Sequence, residues 1–359
     1  MWCKHLLTLL PLLVVALATN LHPYRCSERS SNGHCVVENV TPPYGAFPTA
    51  ETVVWISNST IPVFDRALFA PLARVENLKI HHLQIEQLAL DGCDALDVLF
   101  ASYNAIERVT AVEGLPLRQL HLYQNRLTDV SALRVLTSLE QLYLHENLLE
   151  SISLETFVAM GALKILTLQR NRLRTIGGAS RSVVMPRLEQ LFLQFNQLAH
   201  LDTGLWRMER LRVLDVSHNR LAYLFTFLEE LPALRTVSLH HNPWHCGWLY
   251  GMLERLNARE LDADELIGAE DDDTSCADGG GIRLDDRLCC SENATEPDPV
   301  LLLVSRTSIV DELQQQVRDA KRRIETLEEA QRKQAHRFGE LADRFATIEQ
   351  LCARRGSEG

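Results

Sequence analysis

Between Leu117 and Trp244 the apolar positions follow one repeating phrase: LRQLHLYQNRL, LEQLYLHENLL, LKILTLQRNRL, LEQLFLQFNQL, LRVLDVSHNRL and LRTVSLHHNPW. Each reads L-x-x-L-x-L-x-x-N-x-L, with Asn125, Asn147, Asn171, Asn196, Asn219 and Asn242 in the polar slot. The alternation over Leu120 and Leu122 predicts a short strand. These two leucines point inward, and His121 and Tyr123 point to the opposite face. The asparagine falls where the strand turns, and its amide there can satisfy backbone groups of the turn and of the neighbouring coil. One repeat cannot bury its own leucines, so the copies stack into a continuous core.

The register extends towards the N-terminus. Leu96-x-x-Leu99-x-Ala101-x-x-Asn104 fits it, Val75-x-x-Leu78-x-Ile80-x-x-Leu83 fits with a leucine in the asparagine slot, and Val53-x-Trp55-x-x-Asn58 makes a degenerate first strand. With Asn104 included the asparagines recur every 21 to 25 residues, the period of leucine-rich-repeat solenoids. About nine strands are expected. The predicted fold class is α/β: a leucine-rich-repeat solenoid (horseshoe) with disulfide caps, followed by a C-terminal coiled-coil helix. The expected boundaries are a signal peptide at 1–18, an N-terminal cap at 19–49, the solenoid at 50–243, a C-terminal cap at 244–299, a coiled coil at 300–352 and a tail at 353–359.

Lys4 and His5 ahead of an apolar run from Leu6 to Ala18, closing on Ala16-Leu17-Ala18, have the form of a secretory signal. Of the nine cysteines, Cys3 lies in the signal, and secretion makes the other eight readable as disulfide partners. Cys26 and Cys35 are expected to cap the first coil. Cys246 opens the C-terminal cap and is expected to bond with Cys276 or with the adjacent pair Cys289 and Cys290; adjacent cysteines rarely bond to each other. Cys93 reads as a buried thiol. Asn39, Asn58 and Asn293 lie in glycosylation sequons. A ladder asparagine is buried, so Asn58 cannot serve as both ladder residue and glycan acceptor. In the C-terminal cap, Trp248, Leu249, Met252, Leu253 and Leu256 share one face of a helix.

Beyond Glu296-Pro-Asp-Pro299 the period changes to seven. Val310, Val317, Ile324, Gln331, Phe338, Phe345 and Cys352 take position a, and Leu313, Ala320, Leu327, Gln334, Leu341 and Ile348 take position d. This is a coiled-coil seam. Arg323 opposite Glu328 and Arg344 opposite Glu349 favour a parallel pair. Two copies of Cys352 would meet across the axis, which makes it the interchain disulfide candidate.

The strand residues opposite the leucines form the concave face, where solenoids bind. His121, Tyr123, Tyr143, His145, Phe192 and Gln194 are the expected contact residues, since exposed aromatics suit protein interfaces. His121 and His145 on neighbouring strands are placed about 5 Å apart, but no carboxylate or thiol completes a metal site with them. No metal or cofactor is expected. The net charge of −11 argues against nucleic acid or anionic membrane as the main partner. No Ser/His/Asp, Cys/His or phosphate-loop constellation is present, so the expected class is not an enzyme. The runner-up function is an extracellular adhesive or structural repeat protein that binds a host protein on its concave face.

The order of signal, repeats, His245-Cys246-Gly247, Cys276, the Cys289-Cys290 pair and a terminal coiled coil resembles the leucine-rich-repeat immune (LRIM) proteins of mosquitoes. The resemblance covers almost the whole mature chain. It implies a secreted innate-immune protein that forms a disulfide-linked coiled-coil homodimer, or a heterodimer with a related repeat protein, and that binds complement-like thioester-containing proteins or pathogen-associated partners. It also implies cap and double-cysteine roles for Cys246, Cys276, Cys289 and Cys290. The coil of about six heptads is shorter than in the best-known relatives.

Overall fold

The computed structural model describes residues 23–29, 34–177, 182–224, 227–259, 282–284, 288–291 and 322–324. The chain divides into two compact units, Met1–Asp298 and Pro299–Gly359. In the first, eleven strands form one sheet: Glu28–Arg29, Cys35–Glu38, Val53–Ser57, Asn77–Lys79, Val98–Phe100, Gln119–His121, Gln141–Tyr143, Ile165–Thr167, Gln190–Phe192, Val213–Asp215 and Thr236–Ser238. The last nine are the repeat strands. All pairings are parallel except that of the first two strands. Equivalent positions pair in register throughout, so that Leu120, Leu142, Leu166, Leu191 and Leu214 form one inward row. All five are fully buried, as are Leu122, Leu144, Leu168 and Leu193 two residues on.

The return limbs are short. A repeat of 21 to 25 residues spends half its length on the strand and turn, which leaves little room for an α-helix at 1.5 Å per residue. Among the described residues the coils close with 3₁₀ turns, as at Ser131–Val135 and Leu154–Phe157, with one-turn helices at Arg66–Phe69 and Phe227–Glu230, or with small outer strands such as Ser151–Ser153 against Thr175–Gly177.

The polar slot is occupied as the sequence pattern requires. The Asn147 Nδ2 donates to the Leu144 and Leu122 carbonyls, each at 3.0 Å, and its Oδ1 accepts from the Leu127 N–H at 3.0 Å. Asn125, Asn171, Asn196, Asn219 and Asn242 repeat this pattern. Each ladder carbonyl inside the array therefore takes two amide donors: Leu144 O accepts from both Asn147 and Asn171. Where Leu83 replaces asparagine, the Ile61 N–H that would have met a side-chain oxygen donates instead to the Leu83 carbonyl at 2.9 Å. A left-handed backbone at Gln84 (φ 58°) accompanies the change.

Asn58 is not the ladder residue of its coil. The register aligns it one position early, and Ser59 fills the slot: its hydroxyl donates to Ser57 O and accepts from the Val40 N–H. Asn58 is exposed, adopts φ 45°, and donates to the side chain of Asn39 at 2.9 Å. The conflict between its two readings disappears, because an asparagine tolerates the left-handed region and leaves its amide outside.

The first coil is closed by a disulfide between Cys26 and Cys35, S–S 2.05 Å. At the other end Trp244 is fully buried, donates its indole N–H to Leu239 O and stacks on Trp248. The helix Cys246–Ala258 buries Leu249, Met252 and Leu256, with Trp248 and Leu253 packed beside them. Cys246 bonds to Cys290 and not to Cys276 or Cys289. The strand Leu288–Ser291 lies parallel to Trp244–His245 and brings Cys290 opposite Trp244, next to Cys246. The side chains of Cys276 and Cys289 lie outside the description, as do the signal segment, Asn293, Cys352 and every seam residue but one. Of the second unit only the helical turn Arg322–Ile324 is described, and Ile324 is exposed there. Cys93 is a buried free thiol with its pKa raised to about 11 by burial.

Candidate functional site

The concave face is built from three columns of side chains. The first comes from the last strand residue of each repeat. Here Phe100, His121 and Tyr143 pair across adjacent strands. The His121 ring stacks 4.3 Å from Phe100 on one side and 4.3 Å from Tyr143 on the other, at 20° and 11°. The second column, two residues on, holds Tyr123 and His145, stacked at 4.4 Å and 7°. Each histidine thus lies against a tyrosine of the neighbouring coil, one column apart from the other histidine, and the expected stack of His121 on His145 does not form. The reason is register: His121 pairs with Tyr143, so His145 lies diagonally from it.

The third column was not visible in the alternation of inward and outward residues. It consists of the residue before each ladder slot, which has a left-handed backbone in every coil: His82, Tyr103, Gln124, Glu146, Arg170, Phe195, His218 and His241 have φ between 50° and 59°. The turn swings these side chains onto the same face. Tyr103 meets Tyr123 edge-on at 5.3 Å and stacks on His82 at 4.8 Å. The sequence signal was available as the aromatic or histidine before several of the asparagines. At the N-terminal side Trp55 extends the surface by packing on His81.

Together these rings form a continuous aromatic and imidazole patch. Burial lowers the pKa of His81, His121 and His145 within it. Burial between two rings pushes His121 down to about 4, with His145 adding to the effect. Burial lowers His145 too, against an opposing pull from Glu146, and its Nδ1 lies 3.0 Å from the Thr167 hydroxyl. The Tyr143 hydroxyl donates to Gln141. Such a surface presents flat faces with few mobile torsions. It is suited to packing against another protein. Phe192 and Gln194 fall in the first and second columns but outside the patch: among the described residues Phe192 joins no ring stack, and the Gln194 Oε1 is buried without a partner.

Further along, the columns become small and polar. Thr167, Asp215, Ser217 and Ser238 are buried. Asp215 accepts from the Ser217 hydroxyl at 2.7 Å. Burial raises its pKa against the pull of hydrogen bonds from Ser217 and Ser238.

A family model for the leucine-rich repeat matches residues 116–173 and 185–243. Fibromodulin of Sus scrofa is 34% identical over 134 residues, which are 36% of this chain and 90% of that sequence. The chain belongs to the leucine-rich-repeat family. Podocan of Mus musculus, another member, is 30% identical over 125 residues, covering 33% of this chain but only 20% of podocan. Among solved structures, the leucine-rich repeat domain of LRIM1 superposes with a TM-score of 0.50 at 18% identity, over 68% of this chain and 84% of that one. An octameric complex of Latrophilin 3, Unc5D and FLRT2 gives a TM-score of 0.50 at 24% identity, over 66% and 75%. At these identities the structures establish a shared leucine-rich-repeat fold. No helix among the described residues is long and apolar enough to cross a membrane.

Proposed function

We propose that this chain is a secreted, non-enzymatic recognition scaffold of innate immunity that grips a partner protein with the aromatic and imidazole patch of its concave face. The observation that carries the proposal is the stack of Phe100, His121 and Tyr143 beside that of Tyr123 and His145. Rings that already pack on one another lose little further freedom on binding, which lowers the entropic cost of an interface. The partner class is a complement-like thioester-containing protein, following the resemblance to the mosquito immune proteins. The heptad segment pairs two copies, or one copy with a related repeat protein, and Cys352 links them. Two solenoids on one coil raise the effective concentration for a second contact. The alternative, an adhesive or structural extracellular protein, uses the same concave patch on a host matrix protein.

The test measures binding of the full chain, secreted from insect cells, to a purified thioester-containing complement-like protein. Tyr123→Ala and Tyr143→Ala are expected to weaken binding by roughly tenfold or more each, as central aromatic residues do, with unchanged secretion. Non-reducing gels of Cys352→Ser report the pairing separately, and loss of the dimer band is expected. Binding unaffected by either tyrosine variant would move the contact off the concave face.

A further inference from the structure

The third column ends, towards the C-terminus, in two histidines, and a third lies beside them in the second column. Arg170, Phe195, His218 and His241 occupy this column in four successive coils. The guanidinium of Arg170 lies 4.3 Å over the Phe195 ring, Phe195 stacks on His218 at 4.0 Å, and His218 stacks on His241 at 4.0 Å. His240, in the second column, meets both imidazoles edge-on, at 5.2 and 5.3 Å. One ring nitrogen from each of His218, His240 and His241 lies within 4.8 Å of the other two.

We propose that His218, His240 and His241 form a site for a borderline divalent cation such as Zn²⁺, with three imidazole ligands and a coordination position left for water or for a partner's side chain. This corrects the expectation that the chain holds no metal.

The surroundings fit this donor set. The Ser238 hydroxyl is committed to Asp215, to which it donates. Its oxygen is then the acceptor for the His240 Nδ1–H, 3.3 Å away. This contact holds the His240 ring from behind through Nδ1 and makes Nε2 its ligating nitrogen. A metal-binding histidine held through its other nitrogen by a hydroxyl and a carboxylate behind it is a recurrent arrangement in metalloproteins.

Tetrahedral zinc with Zn–N bonds of 2.0–2.1 Å sets its ligand nitrogens about 3.3 Å apart. Closing from 4.8 Å requires movement. The rings of His218 and His241 are parallel to within 9°. Their in-plane lone pairs therefore cannot converge until one ring turns. His241 is the exposed ring of the three, and its turn out of the stack on His218 is the movement the site requires. The Arg170 charge opposes the cation, but it lies on the far side of the Phe195 ring from His218, three coils from His241. The buried Asp215 carboxylate behind Ser238 offsets it.

The experiment uses the full-length chain without an affinity tag, with free thiols alkylated so that cysteine ligands do not count. Zn²⁺ binding is followed by calorimetry, and Co²⁺ is substituted for its visible spectrum. One ion per chain is expected, with histidine-type Co²⁺ absorption. His241→Ala, an exposed change that leaves the core intact, is expected to weaken binding by a hundredfold or more. Ser238→Ala, which releases the His240 ring, is expected to weaken it by roughly 10- to 100-fold. His121→Ala is expected to leave it unchanged. Absence of a stoichiometric site, or one that survives in a His218→Ala/His241→Ala double variant of unaltered melting temperature, overturns the proposal. Neither result bears on the concave-patch reading, which uses other coils.

Discussion

Replacing Asn147 by alanine tests the ladder that holds the coils together. The asparagine is buried, at 4% exposure. Truncation leaves the Leu127 N–H without its acceptor, since that N–H bonds to the Asn147 Oδ1. The two carbonyls fare better. Leu122 O keeps the donation from Asn125, and Leu144 O keeps the donation from Asn171. The loss is therefore one orphaned buried donor, on the order of 1–3 kcal/mol, plus two net hydrogen bonds of about 1 kcal/mol each. A total of about 3–5 kcal/mol is expected, read as a shift in the urea midpoint at constant slope. Asn147→Asp keeps the acceptor but turns a carboxylate towards two carbonyls, so it is expected to cost at least as much. A loss below about 1 kcal/mol for the alanine variant would refute the claim that the amide is the only acceptor for that N–H.

Three further outcomes follow from the geometry. The pKa of His121 is depressed to about 4, below its unfolded value of about 6.5. The unfolded chain therefore takes up the proton first as pH falls, and stability is lost between pH 6.5 and 4. For this half-buried ring the loss from pH 7 to pH 5 is about 1 kcal/mol after allowing for solvent screening, measured as the part of the pH-dependent melting shift that His121→Phe abolishes. Removing the Cys246–Cys290 bridge, whose partners are 44 residues apart, in a Cys246→Ser/Cys290→Ser variant costs about 4 kcal/mol by loop-closure entropy. The expected result is a cap that becomes protease-sensitive before the repeats. Asn58 is exposed, so glycosidase treatment of the secreted chain is expected to shift its gel mobility by one glycan more than that of Asn58→Gln.

The leucines and asparagines announced the solenoid because their roles repeat: every inward pair and every ladder amide faces the same neighbours in each coil. The nine repeat strands, down to the degenerate one at Val53, could be read for that reason. What a period of two cannot show is the left-handed residue before each asparagine, where Tyr103, Phe195 and His218 leave the alternation and return to the concave face. The same offset displaced Asn58 from the slot that Ser59 fills. It also hid the three-histidine cluster. The choice of Cys290 over Cys276 and Cys289 depends on a strand pairing 44 residues away, which no local pattern encodes. Of the candidate contact residues, His121, Tyr123, Tyr143 and His145 come together as one stacked surface. Phe192 and Gln194 stand apart from it, because the neighbours of Phe192 in register are Thr167 and Asp215 rather than rings.

The most direct test of the concave-face claim is photo-crosslinking. A benzoylphenylalanine is placed at Tyr123 in the patch, or at Val184, an exposed residue of an outer strand outside the main sheet. Each chain is then irradiated with a thioester-containing complement-like protein. The account predicts a covalent adduct from position 123 and none from position 184. An adduct from position 184 with none from 123 would contradict it.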